Sequence, residues 1–143
     1  MVLEYIIKRV LIMNSQSNFD GSTLNNMATA LLKADTVAFI AVKNKLEVYL
    51  FIDQIHMNNS KAAKFREVVE GFETYQMLVT NITEPKLRPS PGAFLHRMMK
   101  ALIGAVYVDT GYNIQATDDV IMPMFKAELN EVYNKALHNK EVL

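Results

Sequence analysis

No cysteine occurs anywhere in the sequence, so disulfides and thiolate metal sites are excluded, and an intracellular protein is expected. Tryptophan is also missing, and glycine and proline together account for only nine residues. No β-hairpin signal, internal repeat or low-complexity tract is present. No apolar run exceeds the eight residues 101–108, well short of the ~20 a membrane-spanning helix needs. Neither sign of charge is in excess, with 15 basic and 15 acidic side chains. Nucleic-acid binding through bulk charge is therefore excluded, and any RNA contact has to be local. Glycine-rich phosphate loops and a GxSxG nucleophile turn are missing too. His56, His96 and His138 lack ligand spacing, so no zinc site is expected.

What is present is apolar and helical in spacing. Half of the 143 residues are hydrophobic, enough for one domain with a real core, and nine methionines suit an adaptable interior. Residues 1–13 place Val2, Leu3, Ile6, Ile7, Val10 and Leu11 at helical intervals. Glu4, Lys8 and Arg9 lie inside that pattern, so it is neither a secretory signal nor a transit peptide. A polar loop at 14–21 leads to a second helix from Ser22 to about Lys33, with Leu24, Met27, Leu31 and Leu32 inward. Asp35 is placed to cap a third helix, TVAFIAVKN. A short apolar piece follows at 46–52 and a loop at 54–59. Ser60 opens a long helix to about Thr80, burying Phe65, Val68, Val69, Phe72, Tyr75 and Leu78. Thr117 caps the last helix, with Asp118 and Asp119 in its first turn, where the dipole favours them. Pro123 lies inside it and predicts a kink. The fold class is all-α, a single compact helical domain.

The organising stretch is Pro91–Gly111, PGAFLHRMMKALIGAVYVDTG. Ser90 and Pro91 supply a helix start and Gly111 a stop. Residues 101–108 leave no wet face, so Ala101, Gly104 and Ala105 are expected to be buried against neighbouring helices. The first half is cationic: His96, Arg97 and Lys100 share one side. From Pro85 to Val108 there is no acid, while Lys86, Arg88, Arg97 and Lys100 are positive. These residues with His96 form a candidate phosphate-contacting patch; the alternative is a solvated face.

KALIGAVYVDTGY resembles the EALIGAIYLDSG segment of ribonuclease III domains. MVLEYIIKRVL resembles the part of the family signature that follows its acid-bearing turn. STLNNMATALLKADTVAFIAV is similar to the third conserved block. VVEGFETYQ and IMPMFKAELNEV look most like the second ribonuclease domain of Dicer-type enzymes. The resemblance covers nearly the whole chain and implies a ribonuclease III-like helical domain over residues 1–143, lacking the start of its signature helix.

Active members are Mg²⁺-dependent endonucleases of double-stranded RNA that use four carboxylates per site. Two of those acids would precede Met1, and the other two match Arg97 and Lys100, both reversed in sign. Fixed cations repel a metal dication by about 4 kcal/mol per pair of unit charges at close range. The Dicer-type lysine of this helix matches Ala93, and the arginine of the third block matches Ala28. The resemblance thus implies no catalytic, cofactor or metal residue, and an inactive domain that binds RNA, double-stranded in this family. It would serve in an RNA-processing or ribonucleoprotein complex. Its protein partner would be of the kind exemplified by another ribonuclease III domain. Homodimerisation through the signature helix is in doubt, and Val2, Leu3, Ile6 and Ile7 are expected to form part of a face that another chain or a missing segment covers. Two alternatives stand: an active endoribonuclease with acids from a partner chain, or a structural protein-interaction domain such as a mitochondrial ribosomal protein.

Overall fold

The computed structural model describes residues 1–15, 18–46, 61–88 and 92–142. Among the described residues every regular element is helical. The α-helices are α1 (Val2–Ser15), α2 (Gly21–Leu32), α3 (Ala34–Lys43), α4 (Lys61–Val69), α5 (Tyr75–Asn81), α6 (Gly92–Asp109) and α7 (Ile114–Val142). A 3₁₀ turn at Pro85–Leu87 precedes α6. None of these helices is long and apolar enough to cross a membrane. The expected apolar piece at 46–52, the loop at 54–59 and the Ser90–Pro91 start lie wholly or mainly outside the described residues.

The helices form two compact units, Met1–Lys33 with Lys100–Leu143, and Ala34–Met99. In the first, α1 packs on α2 and α2 on α7. Helix α1 buries Leu3, Ile6, Ile7, Val10 and Leu11, all at helical spacing. This corrects the expectation that Leu3, Ile6 and Ile7 await another chain: their own unit covers them. Helix α2 buries Met27, Ala28 and Leu31 and is capped by Asp20, whose carboxylate accepts from Thr23 N at 2.8 Å. That bond holds the Asp20 carboxyl below its ordinary pKa.

Helix α7 contributes Ile121, Phe125 and Ala136, and it is tied near both ends. Near its start, Arg9 donates to Asp118 Oδ2 at 3.2 Å and to Gln115 Oε1 at 2.7 Å. Towards its end, Lys140 donates to the Asn18 carbonyl at 2.6 Å and sits 6.0 Å above the Phe19 ring. Phe19 in turn meets Tyr133 edge to face at 5.3 Å. The cap of α7 is Asn113, whose Oδ1 accepts from Ala116 N at 3.0 Å. Thr117 is therefore no cap; it is fully buried inside the helix and bonds back to the Asn113 carbonyl. Asp118 and Asp119 fall beyond the first turn, and the helix runs on through Pro123.

The second unit is centred on α3, buried at every position from Thr36 to Val42. Phe39, Val42, Phe65, Val69, Leu78 and Leu95 form its core. Helix α3 begins at Ala34, so Asp35 lies within the first turn and is no cap; it accepts from the Tyr75 hydroxyl at 3.2 Å. Burial first, then the Asp35 charge, raises the Tyr75 pKa.

The single helix expected over 60–80 is two. Helix α4 stops at Val69 and α5 starts at Tyr75, with Thr74 accepting from Met77 N at 3.2 Å. Gly71 weakens the helix where it breaks. The Phe72 carbonyl left by the break accepts from Lys43 Nζ at 2.7 Å.

Helix α6 gives the main correction. Ala101, Leu102, Ala105 and Val108 are exposed and Gly104 is half-buried; a Cβ on Gly104 would meet nothing within 4 Å. The buried line is Leu95, Met99 and Ile103, four residues apart. A segment apolar all round cannot reveal which side is covered. The predicted stop does hold: Gly111 has φ +72°, and bonds of 3.0 Å run from Tyr112 N to Tyr107 O and from Gly111 N to Val108 O.

Two outcomes follow. Gly104→Ala should raise stability by about 0.5–1 kcal/mol, because the helix gains propensity without a clash, while Ile103→Ala should lower it by about 2–5 kcal/mol; denaturant midpoints read both. Burial raises the Asp118 carboxyl above its ordinary 3.8 by more than Arg9 lowers it. The folded state then binds that proton more tightly, so stability falls as pH rises from 3.8 through the raised value. The stability of Asp118→Asn relative to wild type should accordingly increase across that window in urea titrations.

Candidate nucleic-acid interface

The cationic residues reach the surface by different routes. Lys86 sits in the 3₁₀ turn and is exposed. Arg88 is half-buried: its Nε donates to the Ile82 carbonyl and its Nη2 to the Thr83 carbonyl at 2.9 Å. Ile82 is the C-cap of α5, where helices leave acceptors without intrahelical donors, and Thr83 follows it. Arg88 thus closes α5, and its guanidinium is committed to the backbone. Sequence spacing shows where a charge lies but not which carbonyls it will reach.

Helix α6 carries the other three. Arg97 is exposed, whereas His96 and Lys100 are half-buried. Arg97 and Lys100 are one turn apart on an uninterrupted helix, so their Cβ atoms lie about 5–6 Å from each other. Phe94, 46% exposed, stands one turn before Arg97. Lys100 lies within reach of the Glu4 carboxylate electrostatically. The Lys8 ammonium, bonded to Glu4 at 2.9 Å, is the main reason that carboxyl titrates low, and Lys100 adds a smaller pull. Arg97 and Lys100 are thus two cations on one helix, with Lys86 on a separate element.

Among the described residues no three His, Asp or Glu side chains are placed to hold a metal ion. Asp118 is engaged with Arg9, and Asp119 with Gln115, whose amide donates to it at 2.9 Å.

The fold and this surface define an all-helical domain with a short cationic face and no gathered carboxylates among its described residues. A family model, Ribonuclease III domain, matches residues 1–111, and the chain belongs to that family. Membership connects it with double-stranded RNA, the polymer on which the family acts. No curated protein and no solved structure matches the chain. The family's Mg²⁺ requires hard oxygen ligands. Arg97 and Lys100 of α6 are a guanidinium and an ammonium, which cannot serve as such ligands.

Arg88→Ala should lower the denaturant midpoint by the equivalent of about 1–3 kcal/mol, since it strips two charge-assisted bonds from backbone acceptors. RNA affinity, read by filter binding on the folded variant, should change less than twofold.

Proposed function

We propose that this ribonuclease III domain holds RNA without cutting it, as a subunit of an RNA-processing or ribonucleoprotein complex. The observation that carries the reading is the exposed Arg97 one turn from Lys100, at positions where active relatives place metal-binding acids. Carboxylates hold a metal against a phosphate; fixed cations contact the phosphate themselves, arginine through a bidentate fork and lysine as a point charge. Such contacts ignore base sequence and weaken steeply with salt. Lys86 is a further contact from the turn before α6, His96 a neighbour on the same helix, and Arg88 a nearby cation whose guanidinium is committed to backbone carbonyls. The VVEGFETYQ and IMPMFKAELNEV segments support a Dicer-type lineage, and with it a protein partner such as another ribonuclease III domain.

The test is RNA affinity against salt for the wild type and for Arg97→Glu with Lys100→Glu. A holding surface predicts a large loss of affinity and a salt slope shallower by about two counterions. Incubation with long double-stranded RNA and Mg²⁺ or Mn²⁺ should leave the RNA intact. Reproducible cleavage would favour an endonuclease completed by a partner's acids, and unchanged binding by the double variant would reduce the patch to a solvated face.

A further inference from the structure

Among the described phenylalanines one stands apart. Phe19, Phe39, Phe65 and Phe125 are buried and Phe72 is half-buried, whereas Phe94 is 46% exposed. It lies in the first turn of α6, three residues before Arg97. The two side chains are therefore neighbours on one side of the helix, with Cβ atoms about 5–6 Å apart. Both belong to the second unit. Phe19, Phe39 and Tyr107 each meet another ring edge to face, and no such contact holds Phe94 among the described residues. Arg9 and Arg88 are engaged with carboxylate, amide or carbonyl oxygens. Arg97 has no hydrogen bond or ion pair among the described residues.

An exposed ring beside an uncommitted guanidinium has a specific complement. The ring offers a π-face on which any nucleobase stacks, and the guanidinium offers a fork for the phosphate of the same nucleotide. The surrounding sequence favours an anion, since no acid occurs from Pro85 to Val108. An apolar peptide would leave the guanidinium unused. A duplex would leave the ring unused, because its paired bases are stacked inside and present only their edges. An unpaired nucleotide uses both groups.

We infer that the Phe94–Arg97 side of α6 takes an unpaired ribonucleotide, its base stacked on the Phe94 ring and its phosphate on the Arg97 guanidinium. The inference rests on the reading of α6 as a phosphate-contacting surface and narrows it. The RNA is single-stranded at the point of contact, as in a loop, a bulge or an end. Every base has a π-face, so the contact is indifferent to sequence. Stacking also supplies affinity that salt screens little, unlike the phosphate contact beside it.

The chain contains no tryptophan, so Phe94→Trp places a single fluorescent reporter at the site. With the full chain, binding of oligouridylate of about 12 nucleotides, a length within the usual range of single-strand sites, is compared with binding of a blunt RNA duplex of equal length. The single strand should bind more tightly and quench the emission of Phe94→Trp, and the duplex should leave that emission unchanged. Phe94→Leu keeps an apolar side chain without a π-face. It should lose about fivefold to a hundredfold on the single strand, with duplex affinity within twofold of wild type and the thermal midpoint unchanged.

Preference for the duplex overturns the inference, as does unquenched emission with the single strand bound. Equal loss on both RNAs overturns it too, by making Phe94 a support of the surface and not a stacking group. Arg97→Glu with Lys100→Glu separates this inference from the function it rests on. If that double variant loses affinity for both RNAs while Phe94→Leu loses none, the phosphate-holding surface stands and the stacking falls. If neither change affects binding, or the wild type binds neither RNA, both fall.

Discussion

Helix α1 carries apolar side chains over more of its circumference than its own unit covers, and the first unit is built on the side that is covered. Leu3, Ile6, Ile7, Val10 and Leu11 leave water against α2, and α2 then offers its remaining surface to α7. The arrangement is a relay in which each helix fixes the next. Its closure is polar: Arg9 of α1 reaches the first turns of α7, and burial there is deep enough to work against the ionised form of Asp118. Removing the inner face of α1 would take away the support of α2 as well as the donor that orients α7.

Helical periodicity made most of this legible. Spacing alone located α1, α2, α3 and the stop at Gly111, because period and end signals are local. It failed where a neighbour decides. At 60–80 the apolar pattern continues through Glu70–Thr74, but Gly71 and the Thr74 hydroxyl make a break cheaper than a straight helix, and Lys43 satisfies a freed carbonyl. At 101–108 an all-apolar run held no information about which side would be covered. Thr117 looked like a cap because its hydroxyl is the right kind, yet Asn113 reached the free amide first. Of the candidate interface, the charges of Lys86, Arg97 and Lys100 were readable, whereas the commitment of Arg88 to two carbonyls was not.

The functional reading turns on sign and not on amount of charge. A chain with no net charge attracts RNA only through a local surface, and in the proposed reading that surface is the Arg97–Lys100 side of α6. In that reading a guanidinium contacts the phosphate directly, which lowers the demand on the surrounding side chains. It needs no second acid, no fixed coordination number and no ordered water shell.

The bond between Arg9 and Asp118 spans 109 positions of the chain, and that separation is also a delay. A ribosome adds about 5–20 residues each second, so Arg9 exists for some ~5–20 s before its partner is made. During that interval α1 has α2, its neighbour in sequence, and little else to cover its apolar faces. The turn joining α6 to α7 is the opposite case. Thr110, Asn113 and Thr117 bond among themselves within seven positions and close as soon as they are synthesised. The last hairpin of the nascent chain thus arrives nearly finished, at an α1–α2 pair that has been waiting for it.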